Sequence, residues 1–146
     1  MANGQKTLLL VDDQPDELNL RKIVLEHSGY TVLTAANGSE GLALLASHAI
    51  DEVLLDYQMP GMNGGLVADA MRKAYPGVPI LMLSGCVSLP KSALQFVDGF
   101  IAKGNSSRFL LKTVERLLHN FRNRKPVRSV RCRLARKATA RLEFGA

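Results

Sequence analysis

Two runs of consecutive apolar residues, each ending in aspartate, constrain the fold of this chain most. Leu8–Val11 leads into Asp12 and Asp13, and Val53–Leu55 leads into Asp56. An apolar run without polar alternation is typical of a strand buried on both faces, as in a parallel sheet covered by helices. The aspartates would then stand at the carboxyl ends of strands, where open α/β sheets bind ligands. Taken alone, Asp56 fits a cap on the next segment as well as it fits chemistry.

Three more segments rich in β-branched and apolar residues predict further strands, at Tyr30–Thr34, Pro79–Leu83 and Gly99–Ala102. Helix-like segments separate the five strands at the spacing of right-handed βαβ units. The sequence therefore predicts a doubly wound, flavodoxin-like α/β fold, a five-stranded parallel sheet with helices on both faces. We expect the strand order 2-1-3-4-5, because it brings the ends of the first and third strands together at the switch point.

Apolar residues three and four apart predict the helices. The first begins at Pro15, and Leu20, Ile23 and Val24 form its predicted apolar face. The fourth is short, over roughly residues Leu89–Val97. The other three are predicted to begin at Asn37, after Gly65 and at Ser106.

Charge divides the chain into two parts. The 146 residues suffice for one domain, and their formal net charge is +6. Residues 1–121 hold 10 Lys/Arg and 12 Asp/Glu, whereas residues 122–146 hold nine Lys/Arg and one Glu. We therefore expect one domain over residues 5–122 and a basic tail over residues 123–146 that forms no domain of its own.

The composition also indicates a compartment. Cys86 and Cys132 lie far apart and outside any metal-ligand spacing, which fits a reducing environment. No run approaches the roughly 18 apolar residues of a membrane span, and the N-terminus has no signal-peptide pattern. A cytoplasmic protein without a transmembrane segment is expected.

Polar side chains follow four of the predicted strands: Asp12 and Asp13, then Asp56, Ser84 and Lys103. Three neighbouring carboxylates repel one another unless a cation offsets their charge. Mg²⁺ suits a site with few carboxylates that leaves room for water and phosphate. A metal, an ammonium and a hydroxyl around one carboxylate favour phosphoryl transfer, with Asp56 as the nucleophile.

Four motifs in this order resemble the response-regulator receiver domain of two-component signalling, of the stand-alone, CheY-like type. They are VDDQPD, LLDYQMPGMNG, LSG and GFIAKG, and the likeness covers about residues 5–122. The resemblance implies that Asp56 is the phosphoacceptor and that Asp12 and Asp13 are the acidic pair at Mg²⁺, Asp13 as the direct ligand. It also implies roles for other residues: the backbone carbonyl of Gln58 as a metal ligand, Ser84 and Lys103 as the phosphate-binding hydroxyl and lysine, and Phe100 as the aromatic switch residue.

The chain departs from the family pattern at two positions. The family usually has a proline after the lysine, joined by a cis bond, but here Gly104 follows Lys103. A cis bond before a residue other than proline costs about 2.5–4 kcal/mol, so we expect a trans bond. Phe100 lacks the hydroxyl of the commoner tyrosine, and a core aromatic is the alternative interpretation. Cys86, two residues beyond Ser84, is either a half-buried small residue or a modulator of dephosphorylation.

The resemblance implies a signalling protein that is not an enzyme. It would take a phosphoryl group from a sensor histidine kinase or a phosphotransfer protein and contact a downstream protein target. One alternative is a Mg²⁺-dependent phosphohydrolase acting through an aspartyl phosphate, but no insertion is long enough to supply a substrate-enclosing cap. The other is a receiver that regulates a nucleic-acid- or polyanion-binding tail. A solvated arm and a docking helix are further interpretations of that tail.

Overall fold

A computed structural model of the chain describes residues 4–61, 63–85 and 88–122, and for Arg122 only the backbone. Within these residues, five strands alternate with five helices in chain order. Their bounds are β1 Thr7–Val11, α1 Pro15–His27, β2 Thr31–Ala35, α2 Gly38–Ser47, β3 Glu52–Asp56, α3 Gly64–Ala74, β4 Ile80–Ser84, α4 Lys91–Leu94, β5 Gly99–Ala102 and α5 Ser107–Arg122. No helix in the described ranges is long and apolar enough to cross a membrane.

The five strands form one parallel sheet in the order β2-β1-β3-β4-β5, which confirms the predicted topology. Because β1 and β3 are neighbours, Val11 pairs with Leu55. Asp12, which follows β1, and Asp56, the last residue of β3, therefore lie side by side. On the other side of β3, Asp56 pairs with Leu83, one residue before Ser84.

Alternate residues of each strand face opposite layers of helices. One layer is α1 with α5, and its core contains Leu8, Leu10 and Leu54 of the sheet. The other layer is α2 with α3, and its core contains Val53 and Met82. Both faces of the central strands are thus covered by apolar side chains, which is why their sequences show no polar alternation.

Helix α1 turns a different face to the sheet than its apolar pattern predicts. Leu20 and Ile23 are both 65% exposed, whereas Leu18 and Leu25 are buried. The predicted face was wrong because Arg21 turns inward, where its guanidinium pairs with the buried carboxylate of Asp12. The attraction between Arg21 and the carboxylate at the end of β1 therefore outweighs the burial of Leu20 and Ile23.

Helix α4 is much shorter than the predicted Leu89–Val97, since it covers Lys91–Leu94 alone. Pro90 precedes it with an extended ψ of 148°, and its ring leaves no N–H to continue a helix backwards. The backbone N–H of Asp98 already donates to the carbonyl of Ile80 at 2.8 Å. The chain has therefore begun to pair with β4 four residues after the helix ends.

Candidate functional site

The strand alternation aims three charged side chains at the same layer. Asp12 continues the series Leu8 and Leu10, Asp56 continues Leu54, and Lys103 continues Ile101. All of these apolar residues pack against α1 and α5. The ends of β1, β3 and β5 thus bring two carboxylates and an ammonium together beside the first turns of α1.

The three aspartates form one cluster. Oxygen atoms of Asp12, Asp13 and Asp56 lie within 4.8 Å of one another. Asp56 is only 1% exposed, and Asp12 is buried as well. Oδ1 of Asp13 is buried and has no hydrogen-bond partner among the described residues. Such an oxygen, beside two other carboxylates, fits a hard cation that prefers oxygen ligands.

Lys103 places a positive charge between two of the clustered aspartates. Its Nζ lies 3.2 Å from Asp56 Oδ1 and 3.6 Å from Asp12 Oδ2. The backbone N–H of Lys103 also donates to the carbonyl of Ser84 at 2.6 Å, which fixes the chain where the side chain departs. The Lys103 side chain is 20% exposed, so it is only partly buried.

Two further residues belong to this site, and the sequence analysis missed both. Glu17 Oε2 lies 2.7 Å from Lys103 Nζ. Arg21 donates through Nη1 to Asp12 Oδ2 at 2.7 Å and through Nη2 to Glu17 Oε2 at 3.0 Å. Both residues lie on α1, four positions apart. That spacing, so soon after the Asp12-Asp13 pair, is the signal that could have identified them.

The site shifts the pKa values of its groups in different directions. Burial, followed by the charge of Asp12, raises the pKa of Asp56 to about 6, although Lys103 opposes the rise. Burial also pushes the pKa of Asp12 upward, but the backbone N–H of Gln14 and the Arg21 guanidinium outweigh it and lower that pKa below its ordinary value. Burial disfavours the charged form of Lys103, yet Glu17, Asp12 and Asp56 together raise its pKa. A bound cation would therefore stabilise the charged form of Asp56.

The remaining predicted residues lie around the cluster. The backbone N–H of Gln58 donates to Asp56 Oδ1 at 3.3 Å. Ser84 is fully buried at the end of β4 and pairs in register with Ala102. Phe100, half-buried, pairs with Met82 and packs against the α2–α3 layer. Ser84 and Phe100 continue the alternation of that layer, opposite to Asp56.

Two glycines shape the loops of the site. No peptide bond is cis within residues 4–61, 63–85 and 88–122, so the Lys103–Gly104 bond is trans as expected. Gly104 has a φ of 105°, in the left-handed region that favours glycine. A Cβ on Gly64 would lie 2.6 Å from the carbonyl oxygen of Asp56. The turn after β3 thus closes directly onto the backbone of Asp56. Cys86 lies outside the described residues.

Known proteins share the sequence pattern and the fold of this chain. The family model of the response regulator receiver domain matches residues 8–115, which is most of the chain. The chain belongs to this family. A receiver domain of CheY-like type from Methanospirillum hungatei superimposes with a TM-score of 0.78 and 31% identity, covering 82% of this chain and 98% of that one. The response regulator TrrA of Thermotoga maritima, solved with Mg²⁺ and BeF, has a TM-score of 0.74 and 32% identity, covering 77% and 99%.

Relatives of this receiver domain include both short and long proteins. Protein PilH of Pseudomonas aeruginosa is 33% identical over 116 residues, which cover 76% of this chain and 96% of PilH. The transcriptional regulatory protein GlrR of Escherichia coli is 34% identical over 116 residues, covering 80% of this chain but 25% of GlrR. The chain thus spans only about a quarter of the length of that regulator. The receiver domain is the part that the relatives share.

Proposed function

We propose that this receiver domain accepts a phosphoryl group on Asp56 from a histidine kinase or a phosphotransfer protein and signals through a protein contact that depends on phosphorylation. One observation carries the proposal: a buried carboxylate at the end of the central strand lies against two further aspartates and an ammonium 3.2 Å away. The site offers charge neutralisation and positioning, which are the main requirements of phosphoryl transfer.

In this proposal the chain's own groups act as follows. An oxygen of Asp56 forms a bond to phosphorus as the bond between phosphorus and the donor breaks, and the donor leaves with that electron pair. Lys103 neutralises charge on the phosphoryl oxygens. The backbone N–H of Gln58 holds Asp56 Oδ1 in place. The burial of Asp56 keeps competing water away from the carboxylate.

Mg²⁺ is the proposed cofactor. Asp13, Asp56 and the backbone carbonyl of Gln58 would hold it, with Asp12 beside them. The partnerless oxygen of Asp13 and the clustering of three carboxylates support this assignment. When bound, the ion supplies positive charge that offsets the carboxylates and the incoming phosphoryl group. TrrA, whose structure was solved with Mg²⁺ and BeF, is a similar receiver.

Ser84 and Phe100 are the residues that we propose to change position on phosphorylation. The Ser84 hydroxyl would bind the phosphoryl group, and Phe100 would turn inward as that hydroxyl moves. The register supports this pairing, because Ser84 and Phe100 belong to neighbouring strands and face the same layer. Phe100 is only half-buried, so it has a solvent-exposed side from which to turn.

Acetyl phosphate and Mg²⁺ test the proposal directly. We expect mass spectrometry to detect one added phosphoryl group on the wild type and none after chelation of the metal or in Asp56→Asn. Asp69→Asn is the matched control, because Asp69 is a carboxylate of α3 that pairs with Lys73 outside the site. It should be labelled like the wild type. Labelling of Asp56→Asn at the wild-type level would contradict the assignment.

The basic tail supports a second, additional role. We propose that residues 5–122 form the receiver and that residues 123–146, which lie outside the described residues, contact a polyanion through their excess of Lys and Arg. A chain ending at Arg124 should accept phosphate like the full chain but elute from heparin at lower salt. Equal heparin retention of the two chains would contradict the role of the tail.

A further inference from the structure

Glu17 is the nearest partner of the Lys103 ammonium. Lys103 Nζ lies 2.7 Å from Glu17 Oε2, compared with 3.2 Å from Asp56 Oδ1 and 3.6 Å from Asp12 Oδ2. An ammonium is a compact charge, so its attraction to each carboxylate falls with distance. The lysine that is proposed to bind the phosphoryl group is thus held most closely by a side chain of α1.

Arg21 keeps Glu17 in that position. Its Nη2 donates to Glu17 Oε2 at 3.0 Å, and its Nη1 donates to Asp12 Oδ2 at 2.7 Å. The guanidinium is planar and the Arg21 side chain is only 17% exposed, so its two contacts fix two carboxylates at a set separation. Glu17 itself is 43% exposed, so the contact with Arg21 limits the positions open to a side chain that reaches solvent.

The Glu17–Arg21 pair adds no net charge to the site. Four carboxylates and two cations leave a formal charge of −2, the same charge that three aspartates and Lys103 would give alone. What the pair changes is the location of the lysine. A divalent cation would balance this charge, whereas an aspartyl phosphate then adds negative charge that no other group in the site offsets.

We propose that Glu17 is a positioning residue that holds Lys103 in the unphosphorylated chain and competes for it with the phosphoryl group on Asp56. The inference rests on the proposed function, since it takes Asp56 as the acceptor. On phosphorylation the ammonium leaves Glu17 Oε2 and donates to phosphoryl oxygens, and only hydrogen bonds are exchanged. Arg21 keeps Glu17 in place, so the lysine returns there when phosphate is lost. Glu17 thereby lowers the affinity of the site for a phosphoryl group.

The test compares Glu17→Gln with Asp16→Asn. Both variants remove one negative charge from the first turn of α1, but Asp16 is exposed and is not among the carboxylates paired with Lys103. The probe is beryllofluoride with saturating Mg²⁺, and calorimetry measures its binding because the chain has no tryptophan. We expect Glu17→Gln to bind beryllofluoride about 3- to 5-fold more tightly than the wild type, the range of a partly exposed ion pair. Asp16→Asn should bind it like the wild type.

A spectroscopic measurement separates positioning from a general effect on the fold. Without ligand, the NMR signals of the Lys103 Cε and Nζ should shift in Glu17→Gln and not in Asp16→Asn. With beryllofluoride bound, wild type and Glu17→Gln should give the same Lys103 signals. Equal affinity of Glu17→Gln and wild type, or an equal gain in Asp16→Asn, would overturn the inference and leave the proposed function standing. Failure of the wild type to bind beryllofluoride would overturn both.

Discussion

Arg72 of α3 pairs with Asp98, the residue that enters β5. The same guanidinium donates to the carbonyls of Phe96 at 3.1 Å and Val78 at 3.2 Å. Asp98 in turn accepts from the backbone N–H of Ile80 at 2.8 Å. One arginine therefore joins α3 to the segments that enter both β4 and β5.

Replacement of Arg72 by methionine should destabilise the fold by about 2 kcal/mol, because three carbonyls, those of Phe96, Pro76 and Val78, and the Asp98 carboxylate lose a charged donor. Urea unfolding measures the effect. Lys73→Met is the control, since Lys73 is exposed and its ion pair within the described residues is an i,i+4 pair with Asp69. It should cost less than about 0.5 kcal/mol. Equal losses in the two variants would show that the junction does not contribute.

Asp56→Asn should stabilise the metal-free protein at pH 7, by on the order of 2 kcal/mol. The pKa of Asp56 is raised from 3.8 to about 6, so the wild type loses stability as pH rises through this interval and has lost it fully at pH 7. Asparagine does not ionise and avoids that loss. Thermal melts in the presence of a chelator test whether Asp56→Asn is more stable than the wild type. Mg²⁺ should then stabilise the wild type more than the variant. A less stable variant in chelator would contradict the expected repulsion.

Glu52 should make stability depend on pH. It is fully buried at the start of β3, both carboxylate oxygens lack partners among the described residues, and burial followed by the charge of Asp98 raises its pKa to about 9. The wild type therefore loses stability relative to Glu52→Gln as pH rises from 5 to 8, by about 1.4 kcal/mol per pH unit. Urea unfolding at four pH values measures the difference. Glu26→Gln, on the exposed side of α1, should show no such trend.

Gly64→Ala should destabilise the domain by on the order of 2 kcal/mol and weaken beryllofluoride binding. A Cβ there would lie 2.6 Å from the Asp56 carbonyl oxygen and 2.7 Å from Tyr57 Cα, so the backbone of the proposed acceptor residue would have to shift. Gly77→Ala is the control, because its Cβ would meet nothing within 4 Å. Unfolding and calorimetry report both effects. Wild-type binding by Gly64→Ala would mean that the turn adapts.

The apolar runs of the sequence were sufficient to predict the sheet. Leu8–Val11 and Val53–Leu55 are buried on both faces, and burial of this kind leaves little choice of structure. The clustering of Asp12, Asp13 and Asp56 followed from the parallel topology, since strands that end at one edge bring their next residues together. These predictions depend on backbone geometry, which the hydrophobic pattern encodes.

The orientation of helix α1 could not be predicted from the hydrophobic pattern of the sequence. Its apolar residues Leu20 and Ile23 point to solvent, and Glu17 and Arg21 point to the site. Hydropathy assigns charged residues to the surface, so it fails where buried carboxylates on a neighbouring element attract a cation. The length of α4 was missed for a related reason. Its end is determined by pairing between Asp98 and β4, which local periodicity does not contain.

The alternation of side chains along the strands also separates the proposed site residues into two groups that face different layers of helices. Asp12, Asp56 and Lys103 extend the series that faces α1 and α5, while Ser84 and Phe100 extend the series that faces α2 and α3. In the proposed function, a phosphoryl donor that approaches from α1 would meet the side of the sheet on which Asp56 lies. A downstream protein that binds at the opposite layer would meet the side of Ser84 and Phe100. In the proposed function, the phosphoryl donor and the downstream protein would therefore bind different surfaces of the domain and need not compete for one.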